Sequence, residues 1–375
     1  MKRKDFLKIG LGTVGAATVL GSCVPEDKSG YTTTETGSPN IISNRKYNWK
    51  MVTTWPKNAP GVGTGAETLA KNIKEMSNGR LDIKVYAAGE LVPALEVFDA
   101  VSRGTAQMGH GSAYYWKGKV PAAQFFSTVP FGFTAQEFNA WVAYGGGLEL
   151  WEEIYAPFNL IPMVAGNAGV QMGGWFNKEI NSLADFQGLK MRMPGLGGEV
   201  LKKVGASPIT LPASEVFTAL QTGTIDATEW VGPYNDLAFG LYKAAKYYYY
   251  PGWHEPGSAV EAIFNKDAFD ALPKDLKAIV RSAVQQANLD MINEFTARNN
   301  AALQTLVNEH HVILKPFPRD LLEALKKASA ETLEEVVAGD PESKKVYESF
   351  KNFLAPVSEW HDVSERAYIN ARADD

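Results

Sequence analysis

The chain has 375 residues, of which 45% are hydrophobic and 21% are charged, and its formal net charge is -5. The negative balance, with no basic cluster after the first few residues, argues against nucleic acid as a partner. No stretch beyond the N-terminal segment is long and apolar enough to cross a membrane. The sequence therefore predicts a globular protein, and its length favours two lobes over one small domain.

The first residues predict export. Residues 2–4 are basic, and a mostly apolar run at 6–20 follows them. This run is too short to span a bilayer and is typical of a signal peptide, predicted here at 1–22. Cys23, the single cysteine, directly follows Leu-Gly-Ser, which resembles a bacterial lipoprotein cleavage box in which the thiol receives lipid. The alternative is an ordinary signal peptide with an incidental cysteine.

A flexible segment is predicted between the anchor and the folded part. Residues 23–45 are rich in Ser, Thr and Gly and contain too few apolar groups to fold. With Cys23 lipidated, no disulfide can form within the mature chain. The folded part must then be held together by its core alone.

Strand and helix patterns alternate from residue 46 onward. We predict strands, from runs of alternating or continuous apolar residues, at 49–55, 81–85, from 108, 163–165, 170–176, 189–193, 247–250 and 260–265. We predict helices at 64–77, 93–103, from 135, 214–223 and 274–309. The last of these, at ~1.5 Å per residue, is on the order of 50 Å long and could reach across two lobes. The alternation predicts the α/β class with open sheets.

The strand at 189–193 carries the most informative residue. Leu189, Met191 and Met193 alternate with Lys190 and Arg192, so the first three should face a core and the two basic residues should face away from it. At the strand end, followed by a predicted glycine-rich turn at 195–198, a guanidinium suits capture of a carboxylate because its planar fork holds both oxygens. A solvated arginine is the alternative, and for this residue alone it is the simpler one.

Two glutamates and a glutamine are candidate cation ligands. Glu229 and Glu255 lie in aromatic, turn-rich segments, and Gln171 lies in a predicted strand that is otherwise apolar. A carboxylate in apolar surroundings needs a partner, and oxygen ligands on turns suit a hard cation. The alternatives are surface glutamates, a buried ion pair and a hydrogen-bonded core glutamine.

Catalytic motifs are mostly missing from the sequence. Residues 61–66 partly match a dinucleotide fingerprint, with Asp82 at about the right distance, but a turn that caps a helix explains them better. We expect His310 and His311 to complement a helix dipole. His110 and His254 are interpreted as structural or supporting residues.

The motifs together resemble the solute-binding proteins of TRAP transporters (tripartite ATP-independent periplasmic, DctP type). Residues 182–194 resemble the family's carboxylate-binding signature, and residues 220–227 resemble its next signature. Residues 228–234 and 247–257 resemble the branch that binds 2-oxo or 2-hydroxy monocarboxylates, such as pyruvate or lactate, together with a cation. The resemblance covers the chain from about residue 46.

The resemblance implies a two-lobed periplasmic solute-binding fold with a long helix that spans both lobes. It places lobe I at 46–168 and 259–300, lobe II at 169–258 and 301–340, and a C-terminal helical extension at 341–375. Some members dimerise through such an extension, and four apolar residues at helical spacing mark it here: Val346, Phe350, Phe353 and Leu354. Packing of this face on its own lobe is the alternative.

The resemblance also implies roles for individual residues. Arg192 matches the arginine that pairs with the substrate carboxylate, and Tyr115 matches an aromatic residue that faces the ligand, although Tyr114 could take its place. The residues that match positions around the substrate and its bridging sodium or calcium ion are Gln171, Glu229, Trp230 (through its backbone carbonyl) and Glu255.

The implied function is capture of a small monocarboxylate outside the cytoplasm and its delivery to TRAP permease subunits in the membrane. No residue would then need to be catalytic, and Cys23 would hold the protein to a membrane. Two alternatives remain open from the sequence: a membrane-anchored enzyme acting on a small carboxylic acid, and a binding protein for a sugar acid or dicarboxylate.

Overall fold

The computed structural model describes residues 44–373. The predicted signal peptide, the lipid attachment at Cys23 and nearly all of the predicted linker therefore lie outside the described residues. Between residues 44 and 373, every helix is too short or too polar to cross a bilayer.

The described strands form two sheets, both surrounded by helices. In chain order, the strands are β1 (Tyr47–Thr53), β2 (Leu81–Tyr86), β3 (Met108–Gly111), β4 (Leu160–Asn167), β5 (Gly174–Phe176), β6 (Lys190–Arg192), β7 (Ser207–Ile209), β8 (Ala227–Thr228), β9 (Tyr247–Tyr250), β10 (Ala259–Asn265) and β11 (Ile313–Pro316). The strand order is β2-β1-β3-β10-β4 in the first sheet and β11-β9-β5-β8-β6-β7 in the second.

The helices alternate with these strands, which confirms the predicted α/β class. In chain order, they are α1 (Val62–Met76), α2 (Val97–Ser102), α3 (Ala135–Tyr144), α4 (Gly147–Tyr155), α5 (Gly195–Lys203), α6 (Ala213–Gln221), α7 (Pro233–Phe239), α8 (Lys266–Asp270), α9 (Lys274–Asn308), α10 (Arg319–Ala338), α11 (Pro341–Val363) and α12 (Glu365–Ala373). The capping box predicted before α3 is present, since Thr134 and Glu137 bond to each other's backbone amides.

Both faces of the first sheet are covered. Strands β1, β2 and β3 are parallel, and β10 runs antiparallel to β3 and β4. Successive side chains of a strand point to opposite faces, and the neighbours Met51 and Val52 accordingly belong to two different apolar clusters. One cluster includes residues of α1 and α9, and the other includes residues of α3, α4 and α11. Burial on both faces explains why these strands are nearly continuously apolar.

In the second sheet, β6 lies between β7 and β8 and is parallel to both. Leu189, Met191 and Met193 are buried in one cluster with residues of α5 and α10, as the alternation predicts. Lys190 is exposed, but Arg192 is fully buried. The interpretation of Arg192 as a solvated residue is therefore wrong.

The glycine-rich segment at 195–198, which the sequence analysis predicted as a turn between elements, is instead the first turn of helix α5. The glycines let this turn approach its surroundings closely. A Cβ on Gly198 would lie 2.5 Å from the backbone oxygen of Met193, and one on Gly195 would lie 3.0 Å from Tyr114. The segment thus brings α5 up to the end of β6 and to the residues that follow β3.

Helix α9 is the long helix that the sequence predicts. At ~1.5 Å per residue its 35 residues extend over about 50 Å. It packs on α1 and β4, which belong to the first sheet's surroundings, and on α7, which follows the last residues of β8. One helix therefore contacts elements associated with both sheets.

The C-terminal extension packs on the same chain. Its apolar face contacts α3, α4 and the 3₁₀ segment Pro121–Phe126. The four residues predicted to form this face all join that core: Val346, Phe350, Phe353 and Leu354. The alternative of packing on its own lobe is the correct one for them. Later residues are exposed, including Trp360 at 61% and Tyr368 at 65%.

Candidate functional site

Four of the predicted site residues converge at one edge of the second sheet. Arg192 ends β6, and Glu229 directly follows β8, the parallel neighbour of β6. Glu255 follows β9, and Gln171 precedes β5, which runs antiparallel to β8 and β9. Ligands of open α/β sheets bind outside the carboxyl ends of parallel strands, and all four residues lie at that edge.

An ion pair, two hydrogen bonds and an aromatic ring fix the position of the Arg192 side chain. Its Nη1 forms an ion pair with a Glu229 carboxylate oxygen, Nη2 donates to the Tyr115 hydroxyl at 3.2 Å, and Nε donates to the Leu211 carbonyl at 3.4 Å. The Trp230 ring lies 5.1 Å from the guanidinium carbon, a cation–π distance. Burial alone would lower the pKa of Arg192, but the Glu229 carboxylate raises it above its ordinary value, so the guanidinium stays charged.

Gln171 and Glu255 are brought together by paired loops. The Gln171 amide donates to the Glu255 carbonyl at 3.0 Å, and the Gly252 amide donates to the Gln171 carbonyl at 2.9 Å. A Cβ at residue 252 would lie 2.3 Å from that carbonyl oxygen, so only glycine allows this approach. The predicted strand at 170–176 is therefore wrong in its first half, because Gln171 bonds to this loop, the Met172 amide donates to the Val231 carbonyl, and β5 begins only at Gly174.

Two side-chain oxygen atoms of the site have no hydrogen-bond partner in the described part of the chain. Gln171 Nε2 donates to Glu255 Oε2 at 2.7 Å. The pKa of Glu255 is raised to about 8, mainly by burial and to a smaller extent by the neighbouring Glu229 carboxylate. Glu229 Oε2 and Gln171 Oε1 are buried without a hydrogen-bond partner among residues 44–373. Buried polar atoms are normally paired, so these oxygens are available for a ligand such as a hard cation.

His254, which the sequence analysis interpreted as structural or supporting, also lies at this edge of the sheet, close to Glu229 and Glu255. Its ring is buried, its Nε2 lies 3.7 Å from Glu229 Oε2, and neither ring nitrogen has a hydrogen-bond partner within the described part of the chain. Its position next to Glu255 in the sequence was the available signal. His110, by contrast, lies on β3 and accepts a hydrogen bond from the Trp55 indole at 2.8 Å, as expected for a structural residue.

A small cavity of about 290 Å³, including space open to solvent, lies beside these residues. Its walls come from segments that follow strands of both sheets: Trp55, Val62, Ser112, Tyr114, Tyr115, Ala168, Gln171, Trp230, Val231, Ser258 and Val260. Both tyrosines predicted as alternatives line it, but it is the Tyr115 hydroxyl that contacts Arg192. Burial raises the pKa of Tyr115, which keeps the phenol protonated. The free space between these residues is small, which favours a small ligand.

The segment that carries Trp230 is fixed by two residues of α7 that the sequence did not single out. The Trp230 indole donates to the Asn235 side chain, whose amide in turn donates to the Pro60 carbonyl before α1. Asp236 accepts from the Val231 amide at 3.1 Å, and it also accepts from Trp175 and Tyr248. No periodicity or motif marks these two side chains, since each also bonds to a residue distant in the sequence, Asn235 to Pro60 and Asp236 to Trp175.

The arrangement can neutralise one carboxylate and one cation side by side. Arg192 is a buried guanidinium that contacts Tyr115 at the cavity wall, and Glu229, Glu255 and Gln171 supply oxygen atoms near it. Hydrogen-bonding and charged groups around a small space can hold an anion without any bond being made or broken.

Known proteins resemble this chain along nearly its whole length. A protein of Nostoc sp. described as a monocarboxylate 2-oxoacid-binding periplasmic protein is 45% identical over 370 residues, which are 99% of this chain and 98% of that protein.

Two solved structures are similar in fold and sequence. One is a TRAP periplasmic solute-binding protein of Pseudoalteromonas atlantica with bound sodium and pyruvate, with a TM-score of 0.84, 45% identity, and coverage of 87% of this chain and 99% of that chain. The other comes from Colwellia psychrerythraea and holds calcium and pyruvate, with a TM-score of 0.85, 44% identity, and coverage of 87% and 100%.

The profile of the bacterial extracellular solute-binding proteins, family 7 (DctP), matches residues 51–340. This range contains both sheets, except for the first four residues of β1, and all four residues that converge at the edge of the second sheet. The chain therefore belongs to the DctP family of bacterial extracellular solute-binding proteins, which serve TRAP transporters.

Proposed function

We propose that this protein binds a small 2-oxo or 2-hydroxy monocarboxylate together with a bridging sodium or calcium ion, and presents it to the membrane subunits of a TRAP transporter. The observation that carries the proposal is the fully buried Arg192 beside oxygens of Glu229 and Gln171 that have no hydrogen-bond partner among the described residues, next to a small cavity that Gln171 and Tyr115 line. The relatives that hold pyruvate with sodium or calcium support the same pairing of anion and cation.

Arg192 receives the carboxylate in this proposal. Its Nη1 forms an ion pair with Glu229. A cation that takes the Glu229 carboxylate would release this side of the guanidinium for the incoming anion. The two ligands then bind cooperatively, and by linkage each strengthens the other's affinity by the same factor.

The cation is held by oxygen atoms. We assign Gln171, Glu229, Glu255 and the Trp230 carbonyl as its protein ligands, and the captured acid supplies the rest. Sodium and calcium both prefer oxygen ligands on adaptable segments. Gln171 Oε1 and Glu229 Oε2 lack hydrogen-bond partners within the described residues, which supports their availability.

The charges favour a monocarboxylate over a dicarboxylate. The site offers a single guanidinium, from Arg192, against the two carboxyl groups of Glu229 and Glu255. A second carboxylate on the ligand would lie near the Glu229 carboxylate, where like charges repel. The small size of the cavity that Gln171 and Tyr115 line also favours pyruvate or lactate over a sugar acid.

The protein acts by binding, so we propose no catalytic residue. We propose two lobes, at 46–168 with 259–300 and at 169–258 with 301–340, each built on one of the two sheets. A ligand that contacts Arg192 from one lobe and Tyr115 from the other would favour the closed arrangement by its differential affinity. The permease subunits would recognise that closed form.

Anchoring and assembly complete the proposal. Lipid on Cys23 would hold the protein to a membrane on its periplasmic side. Mass spectrometry of the mature N-terminus would test this lipid attachment.

A homodimer would form through the extension at 341–375, whose exposed apolar residues include Trp360 and Tyr368. Sedimentation of wild type and of a variant lacking these two rings would test it.

The function is tested by calorimetric titration of the full mature chain with pyruvate and with lactate. The protein is first unfolded and refolded to remove carried-over ligand, and each titration is repeated with sodium, with calcium and with a chelator. We expect one-to-one binding that requires a cation, with no product formed. Turnover of the acid, or failure of both acids under every cation, would refute the proposal.

A further inference from the structure

His254 is a buried side chain for which the proposed function has no task. It is 1% exposed, and both ring nitrogens lack hydrogen-bond partners among residues 44–373. A buried imidazole without partners is unfavourable, because its nitrogens lose their hydrogen bonds to water. A partner that the protein itself does not supply would remove this penalty.

The Nε2 atom of His254 points toward the proposed cation ligands. It lies 3.7 Å from Glu229 Oε2, an oxygen that also has no hydrogen-bond partner in the described chain. One ligand atom from each of Glu229, His254 and Glu255 lies within 4.8 Å of the others. Two donors that each lie ~2.0–2.4 Å from one ion are about 3–4 Å apart, so the observed separation fits a shared ion.

The ring is held in this position from several sides. The Trp253 ring packs against it edge-on with centroids 5.5 Å apart. A Cβ on Gly197 would lie 3.0 Å from the His254 Cβ, so α5 approaches the residue closely from behind. The Thr128 hydroxyl contacts the His254 carbonyl at 3.5 Å. These contacts preorganise the imidazole beside Glu229.

We propose that His254 supplies a nitrogen ligand to the bound cation, and that the site therefore also accepts a divalent transition-metal ion such as Mn²⁺ or Zn²⁺. This inference rests on the proposed function, because it concerns the same cation. Imidazole nitrogen contributes little to sodium or calcium binding, which is dominated by oxygen ligands, but it suits zinc and its neighbours. A nitrogen next to two carboxylates gives a set of metal ligands that contains both nitrogen and oxygen.

The first test is electron spin-echo spectroscopy of Mn²⁺ bound to the full mature chain without a histidine tag, in the presence of pyruvate. We expect the ¹⁴N modulation of a coordinated imidazole. It should vanish in His254→Gln and persist in His310→Gln, a control at a ring that stacks on Tyr242 outside the site. Bound Mn²⁺ without nitrogen modulation in the wild-type protein would overturn the inference, and this reading does not depend on any variant folding.

The second test compares metals by calorimetry with pyruvate present. His254→Gln should weaken Zn²⁺ binding at least ~10-fold, the scale on which metal sites respond to loss of a supporting group, and should change Ca²⁺ binding far less. Equal effects on the two metals, or none on Zn²⁺, would overturn the inference. Pyruvate binding that proceeds with sodium or calcium would in that case leave the proposed function standing, whereas absence of pyruvate binding under every cation would refute that function itself.

Discussion

The ion pair between Arg192 and Glu229 allows the structural and the binding roles of Arg192 to be separated. Both side chains are at most 1% exposed. Removing one partner of such a pair leaves a buried charge uncompensated, which costs about 3–5 kcal/mol. We therefore expect Arg192→Met, which keeps much of the side-chain length, to lower the free energy of unfolding of the ligand-free protein by that amount.

The double variant Arg192→Met/Glu229→Gln carries no orphaned charge. It should recover more than half of the lost stability, because buried ion pairs can be replaced by neutral groups of similar size at little cost. Pyruvate affinity should nevertheless be strongly lowered in both variants. Truncating a buried charge partner in an interface costs about 2–5 kcal/mol, so affinity should fall by roughly 30-fold to several thousand-fold.

The measurements are urea unfolding without ligand and calorimetric titration with pyruvate. Arg319→Met is the matched control, since the Arg319 side chain is 93% exposed in its pair with Glu323 and surface pairs contribute about 1 kcal/mol or less. Pyruvate affinity within a few fold of wild type in Arg192→Met would refute the assignment of Arg192. A double variant no more stable than Arg192→Met would refute the reasoning about the orphaned charge.

Three further predictions address the cation, the pH dependence and the loop of Trp230. Glu229→Gln should abolish the dependence of pyruvate affinity on sodium or calcium, and a cation titration that matches wild type would contradict its role. Burial raises the pKa of Glu261 to about 8 from 4.5, so the folded state binds the proton more tightly and stability should fall as pH rises between these values. By pH 7 the contribution of Glu261 to this fall amounts to about 3 kcal/mol. Over the same range Glu261→Gln should therefore lose about that much less stability than wild type, as followed by urea unfolding at several pH values; parallel curves for the two proteins would contradict this. Asn235→Ala leaves the Trp230 indole and the Pro60 carbonyl without these partners, which should lower the free energy of unfolding by ~1–3 kcal/mol. Calorimetry should show that pyruvate affinity falls several-fold, by at most about 10-fold. Unchanged affinity would exclude Asn235 as a positioning residue.

The prediction of local structure succeeded where one periodic pattern continues without interruption. The helix predicted at 274–309 is Lys274–Asn308, because no glycine or proline breaks it. The prediction at 170–176 was wrong in its first half for a nonlocal reason. Residues 170–173 look like part of an apolar strand, but the backbone of Gln171 bonds to Gly252 and Glu255, some 80 residues later.

The sequence by itself determined the alternation of strands and helices, the orientation of Leu189, Met191 and Met193 toward a core, and the motifs that mark the family. These follow from residue spacing within single elements, where local geometry decides which side chains share a face. Only the tertiary structure decided that Arg192 is buried against Glu229 and that His254 lies beside Glu229. Those contacts depend on the order of strands in the second sheet and on the close approach of loops at Gly252, and no short-range pattern in the chain encodes either one.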